Sequence, residues 1–366
     1  MIESLHRLVT GDSISCPWIS DQSISLVVTS PPYPMIEMWD SLFAGRSIAV
    51  QMALAALHGT AAFEAMHQCL DPVWAEVARV LQPGGWACIN IGDATRKVGD
   101  RFQLFSNHTR IIAKFMALGF DIMPLVLWRK QTNAPNKFMG SGMLPAGAYV
   151  TLEHEYILLM RKGSKRDFGS PQERAVRQES AYFWEERNKW FSDIWDFKGT
   201  KQTLEHPELR DRSAAYPFEL PYRLINMYSV RGDTVFDPFL GTGTTTFAAI
   251  ASGRNSIGAD IDPAFISAVT RGMNAIKNQL NQQVVNRLND HLAFVQQCHQ
   301  VGKELRHTNL PHGFPVMTSQ EANLELFAVD GISSVGPQQF TVSYREIGKD
   351  LAGAFAGQHD QLTLAM

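Results

Sequence analysis

Short apolar runs, each stopped by glycine, proline or an acid, alternate along the chain with longer stretches of helical spacing. Arg7-Leu8-Val9-Thr10-Gly11-Asp12 reads as a short strand ending in Gly-Asp. A second strand at about 24–29 carries Ile24, Leu26, Val27 and Val28 and stops at Ser30-Pro31-Pro32-Tyr33. Residues 39–82 are rich in Ala, Leu and Met, with Val73, Val77, Val80 and Leu81 at helical spacing, and predict two or three helices closed by Pro83-Gly84-Gly85. Trp86 to Ile91 predicts a buried strand ending at Gly92-Asp93, and a helix at about 107–118 is capped by Gly119. A strand from Ile122 to Trp128 runs into the polar loop 129–135, and Tyr156 to Met160 is its expected antiparallel partner. From 217 regularity returns. Pro217 opens a helix to about Tyr228, Thr234 to Asp237 is a strand, a glycine loop enters a helix, Arg254 to Asp260 is another strand, and a helix covers about 264–278. Beyond it the Gln- and Asn-rich residues are expected to be helical to about 300 and irregular afterwards. Strands alternating with helices in this way predict an α/β fold around a mostly parallel sheet.

Composition narrows the class. With 366 residues, 45% of them hydrophobic and 19% charged, the chain has the make-up of a soluble globular protein with room for one large domain and a smaller one. No run of about 18 apolar residues predicts a membrane span, and no signal peptide pattern opens the chain. Cys16, Cys69, Cys88 and Cys298 show no CxxC spacing and read as reduced thiols of a cytoplasmic protein, without a metal site. The net charge of −3 advertises no nucleic-acid partner globally, so any basic surface is local. Residues 161–177 supply a candidate: Arg161, Lys162, Lys165, Arg166, Arg174 and Arg177 against Asp167 and Glu173, followed by Tyr182, Phe183, Trp184, Trp190, Phe191 and Trp195. Basic residues interleaved with aromatics suit a nucleic-acid groove, and a solvated loop preceding core aromatics is the alternative.

Two stretches carry chemistry. In Ser30-Pro31-Pro32-Tyr33 the prolines fix φ and restrict their neighbours, which preorganises the loop at a strand end. The Ser30 hydroxyl and the Pro31 carbonyl can each accept a hydrogen bond from an exocyclic NH₂ group, and Tyr33 offers a ring for a base to stack on. In Asp237-Pro238-Phe239-Leu240-Gly241-Thr242-Gly243-Thr244-Thr245 a glycine loop joins strand to helix and lets a ligand approach the backbone. It lacks the lysine of a phosphate-binding P-loop. Asp260, closing the next strand, is placed to accept from ribose hydroxyls.

These residues resemble the amino-methyltransferases of DNA that use S-adenosyl-L-methionine. The tetrapeptide [S/N/D]-P-P-[Y/F/W] of that family is Ser30 to Tyr33 here, and D-P-F-x-G-[ST]-G-T is Asp237 to Thr244. The catalytic segment precedes the cofactor segment, as in the permuted β class. Gly11-Asp12, Asn90-Ile91-Gly92-Asp93, Trp128-Arg129-Lys130 with Asn133 and Pro135, His154-Glu155-Tyr156 and Tyr216-Pro217 fall in the family's order over residues 6–276.

The resemblance implies a circularly permuted, mostly parallel seven-stranded Rossmann-like sheet with a C-terminal β-hairpin edge. It divides the chain into a catalytic half (1–160, with a helical insert at 39–82), a target-recognition region (161–212), a cofactor half (213–278) and an extension of unassigned role (279–366). It places Asp237, Pro238, Phe239, Gly241, Gly243, Thr244 and Thr245 around the cofactor, Asp260 on its ribose, Asp12 on its adenine amine, and the Pro217 helix over the pocket. Ser30, Pro31, Pro32 and Tyr33 would act on a flipped-out base of double-stranded DNA. Lys130, Asn133, Arg161, Lys162, Lys165, Arg166, Arg174 and Arg177 are the DNA-contact candidates. Serine at the first tetrapeptide position goes mostly with cytosine N4 in the family, and adenine N6 is the neighbouring alternative. A non-catalytic binding module and a nicotinamide dehydrogenase are the rivals from other classes. Self-pairing through the helical insert and a cognate restriction endonuclease stay open as partners.

Overall fold

The computed structural model describes residues 2–130, 143–199, 216–273 and 275–347. Strands β1 (Ile2–Thr10) and β2 (Ile24–Thr29) are followed by helices α1 (Asp40–Arg46), α2 (Ile48–Ala55) and α3 (Gly59–Val80), then by β3 (Leu81–Ile91). A small hairpin of β4 (Ala94–Val98) and β5 (Arg101–Phe105) precedes α4 (Asn107–Ala117), β6 (Phe120–Ile122), β7 (Val126–Arg129) and β8 (His154–Lys162). Next come α5 (Pro171–Glu179), α6 (Trp184–Trp190) and β9 (Ile194–Asp196). The chain continues through α7 (Glu219–Tyr228), β10 (Thr234–Asp237), α8 (Thr244–Ala251), β11 (Asn255–Asp260), α9 (Pro263–Met273) and α10 (Lys277–Gln300). A short pair, β12 (His307–Thr308) and β13 (Pro315–Val316), leads to the hairpin β14 (Phe327–Gly336) and β15 (Gln339–Glu346).

One sheet of eleven strands runs β14-β15-β1-β11-β10-β2-β3-β8-β7-β9, with β6 also on β8. Strands β1, β11, β10, β2 and β3 are mutually parallel, and β8 lies antiparallel between β3 and β7. These seven form the expected sheet in the permuted order, since β10 follows β2 in the chain by about two hundred residues yet lies beside it. The sheet is wider than expected at both edges. Pro124 cannot donate to a ladder, so the strand expected over 122–128 breaks into β6 and β7. The region after 300, expected to be irregular, supplies β14 and β15 next to β1. On β15, Phe340, Val342 and Tyr344 point inward between exposed or half-buried neighbours, the period-2 signature of a strand with one buried face. The helix expected over 264–278 ends at Met273, and α10 follows it as a separate element.

Both faces of the central strands are covered, which is why β2 is buried at every position. Ile24 and Val27 pack with Met66, Leu70, Trp74 and Val77 of α3 and Phe115 of α4. Leu26 and Val28 face Leu220, Leu224 and Ile225 of α7 and Ala248 and Ala249 of α8 on the other side. The 279–347 stretch is fused to this body. Arg287 of α10 donates to both carboxylate oxygens of Glu186 on α6, at 2.5 and 2.8 Å, and His291 bonds Glu185 at 2.8 Å. Among the described residues no helix is long and apolar enough to cross a membrane, and no cluster of His, Cys, Asp or Glu could hold a metal ion.

The two loops that carry chemistry are tied together beneath the surface. Thr29 closes β2, Asp237 closes β10, and the buried Asp237 carboxylate accepts from Thr29 Oγ1 at 2.6 Å, Thr245 Oγ1 at 2.6 Å and the Phe239 amide at 3.0 Å. The Tyr216 hydroxyl donates to it at 3.4 Å and also bonds Thr245. Burial raises the Asp237 carboxyl from 3.8 to about 6, against the opposing pull of its hydroxyl and amide donors.

Between those two pH values the folded chain therefore holds a proton that the unfolded chain has released, and stability falls as pH rises through the window. Asp237→Asn is expected to flatten that part of the curve of melting temperature against pH; an unchanged slope refutes the assignment. Arg287→Ala leaves Glu186 buried and unpaired, and is expected to cost about 3–5 kcal/mol in urea unfolding. A loss within experimental error would show that α10 is not anchored through this pair.

Candidate active site

All five parallel strands deliver their carboxyl ends to one edge, where open α/β sheets place their ligands. Gly11 and Asp12 follow β1, Ser30 follows β2, Gly92 and Asp93 follow β3, the glycine loop follows β10, and Asp260 ends β11. Backbone bonds knit these loops: the Gly11 amide donates to the Asp260 carbonyl, Leu240 to Ala259, and Ser13 Oγ to the Pro238 carbonyl at 2.8 Å. Gly243 takes a φ of 79° at the start of α8, and a Cβ there would stand 2.7 Å from Val269, so only glycine lets α9 pack so closely.

A cavity of about 440 Å³ opens at this edge. Ser30, Pro31 and Pro32 line one end of it, and Asp12, Asp260, Pro238, Phe239, Gly241 and Thr244 line the rest. The tetrapeptide and the glycine loop, more than two hundred residues apart, thus share one space. Three carboxylates (Asp12, Asp260 and Asp262) face a single guanidinium, Arg46, across apolar walls that include Leu42, Phe43, Leu240 and Phe265. Asp260 accepts from the Gly241 and Asp262 amides, each at 2.9 Å, which fixes its carboxylate toward the cavity wall. An acidic lining with flat apolar walls fits a cofactor bearing a sulfonium, an ammonium and an adenine ring.

The tetrapeptide is held by a directed chain of hydrogen bonds. Ser30 Oγ donates to the Tyr33 hydroxyl at 3.0 Å, and Tyr33 donates to Glu155 Oε2 at 3.0 Å. Asn90 Nδ2 donates to both, at 2.8 and 2.6 Å, and Lys130 pairs with the other Glu155 oxygen. Burial holds the Tyr33 phenol well above its usual range, so it stays protonated and continues to donate. The Ser30 proton is therefore committed to Tyr33, and the lone pairs of Oγ are left to accept.

Several expected residues take other positions. Tyr33 is 9% exposed and does not line the cavity; it meets the site through its hydroxyl, which bonds Ser30. Asp237, Gly243 and Thr245 lie behind the wall as scaffold rather than at the cavity surface, and Pro217 is buried while its neighbour Tyr216 lines the cavity. Asp12 is paired with Arg46 at 2.8 Å. Arg46 comes from the helical insert, offered from the sequence as a surface for self-pairing, yet Trp39, Leu42, Phe43 and Arg46 cap this cavity. A seven-residue helix carries too little periodicity to have revealed that.

The basic candidates divide. Lys130 stands at the carboxyl edge, bound to Glu155; Asn133 lies outside the described residues. Arg161 pairs in register with Trp86, five residues along the ladder from the Tyr156–Ile91 pair, about 17 Å at 3.3 Å per residue. Lys162 caps α3 through the Ala78 and Leu81 carbonyls, and Arg166 pairs with the buried Asp233. Together with Lys165, Arg174 and Arg177 they sit toward the amino ends of the parallel strands, away from Ser30.

The N6/N4 methyltransferase family profile, described as DNA methylase, matches residues 24–271. The chain is 47% identical over 348 residues to the type II methyltransferase M.MthZI of Methanothermobacter thermautotrophicus, covering 94% of this chain and 97% of that protein. It is 51% identical over 272 residues to M.MjaI of Methanocaldococcus jannaschii, covering 71% and 88%. A putative DNA modification methylase of Thermus thermophilus, crystallised with S-adenosyl-L-methionine, superposes with a TM-score of 0.56 at 30% identity, covering 76% of this chain and 95% of that one. With its two diagnostic loops meeting in one acidic cavity, the chain belongs to the N6/N4 family of S-adenosyl-L-methionine-dependent DNA methyltransferases.

Proposed function

We propose that this enzyme methylates the exocyclic N4 amine of cytosine in duplex DNA, as the modification half of a type II restriction system. The observation that carries the reading is the Ser30–Tyr33–Glu155 chain beside the cofactor cavity. It presents a neutral, rigid acceptor where a base amine must be gripped. Ser30 Oγ and the Pro31 carbonyl accept the two amine protons and hold the nitrogen lone pair out of conjugation with the ring.

The cofactor, when bound, supplies an electrophilic methyl group on its sulfonium. Asp260 would take the ribose hydroxyls, Asp12, held by Arg46, would accept from the adenine amine, and Phe239 and Phe265 would take the flat faces of the ring. Gly241 keeps the wall free of a side chain. The chain needs no base to start the reaction, because the amine becomes acidic only once it is methylated. Positioning and fixed dipoles then provide the rate. Ser30 follows a buried strand at the cavity's inner end, so the cytosine must leave the stack to reach it. The hairpin β4–β5 projects from the same edge, and its Lys97 and Arg101 are exposed with no carboxylate partner among the described residues, which suits contact with phosphates.

Nucleoside analysis of duplex DNA methylated by the enzyme should show N4-methylcytosine; N6-methyladenine in its place overturns the base assignment and leaves the fold and cofactor untouched. Ser30→Ala is expected to lower turnover by orders of magnitude while cofactor binding persists. Tyr33→Phe keeps the ring but frees the Ser30 proton, and should lower kcat by about 10–100-fold with little change in the KM for cofactor. A Tyr33→Phe enzyme with unchanged kcat would show that the hydrogen-bond chain is not used.

A further inference from the structure

A second cavity, of about 830 Å³, opens at the amino ends of the parallel strands, beside Ser25, Gln82 and Trp86. Its charge is the reverse of the first. Arg161, Lys165, Arg166, Arg174, Arg177 and Arg187 line it against one carboxylate, Glu321. That carboxylate is already engaged, accepting from the Trp184 amide at 2.8 Å and from Thr318. Arg166 and Arg161 are taken by Asp233 and Asp121. Lys165, Arg177 and Arg187 have no carboxylate partner among the described residues and converge on the concavity. Positive groups gathered in a concave, partly apolar space focus a field that only an anion relieves.

The same walls carry partly exposed aromatic rings. Phe191 is 41% and Trp184 37% exposed. Phe168 lies under two guanidinium groups, Arg166 at 4.7 Å and Arg177 at 4.8 Å, and Arg187 stands 5.8 Å from Phe191. Trp184 is already stacked on Phe294 and lies under Lys303, so the partly exposed Phe191, flanked by Arg187, is the ring on which an unstacked base can rest while cations hold its phosphates.

We propose that this cavity binds a nucleoside phosphate, its base against Phe191 and its phosphates on Lys165, Arg177 and Arg187. The volume accommodates one or two nucleotides, and stacking requires a base with a free face, so duplex DNA is not the ligand. The site is separate from the methyl-transfer reading and stands or falls without it. The chemistry could come from a free nucleotide or from a single strand, and two probes separate them.

Full-length enzyme is titrated in about 0.1 M salt with N-methylanthraniloyl-ADP and, separately, with a fluorescein-labelled hexathymidylate. At least one probe should bind saturably with micromolar affinity whether or not S-adenosyl-L-methionine is saturating; binding of the first alone identifies a free nucleotide, and binding of the second identifies a strand. The Arg177→Ala/Arg187→Ala double variant, both positions exposed, should keep its melting temperature and bind the probe at least ~10-fold more weakly. Failure of both probes to saturate at millimolar concentration, competition by S-adenosyl-L-methionine, or undiminished binding by the double variant would each overturn the proposal.

Discussion

The site rests on one buried carboxylate. Asp237 gathers Thr29 from the end of β2, Thr245 and the Phe239 amide from the glycine loop, and Tyr216 from the approach to α7. Each donor comes from a segment that shapes the cavity without the carboxylate itself entering it. A charged group buried this deeply is tolerated because hydroxyls and an amide solvate it, and those bonds have direction. They set the spacing of β2 and β10 at their carboxyl ends, and so the distance between the tetrapeptide and the cofactor loop. Permutation of the chain order leaves this contact intact, since it depends on which strands are neighbours and not on which is made first.

What could be read from residues alone follows the same logic. The parallel strands were legible because a strand covered on both faces is an unbroken apolar run, and each ended in a loop of proline, glycine or acid that has few other uses. The cavity's composition was legible where a loop residue touches it, as at Ser30, Asp12, Asp260 and Gly241. It was not legible where the contribution comes from a helix, as with Trp39, Phe43 and Arg46, because helical spacing does not say which end of the sheet a helix covers. The hairpin β14–β15 was missed because Ser, Gly and Gln interrupt its apolar residues, and its alternation is visible only on β15. The basic run at 161–177 was legible as unusual in composition but its place was not, since β8 returns antiparallel and carries Arg161 to the far edge.

That return strand separates two opposite fields. At the carboxyl edge, carboxylates outnumber guanidinium groups, which favours a sulfonium and disfavours phosphate inside the cavity. At the amino edge, six cations face one engaged carboxylate. At physiological ionic strength charges are largely screened over about 8 Å, less than the strand length between the two edges. The charges lining one cavity therefore have little influence on the other.

The direction of the hydrogen-bond chain bears on why serine stands at position 30. A serine has a proton to give to Tyr33, so the sequence of donors runs outward to inward and ends on Glu155, whose remaining charge Lys130 balances. An aspartate at the same place could not donate; Tyr33 would be asked to serve two carboxylates with one proton, and one of them would be left facing buried repulsion. The surroundings as built therefore favour a neutral acceptor. A neutral acceptor grips an amine by geometry rather than by charge, which suits an exocyclic amine whose lone pair must be turned out of its ring before it can attack.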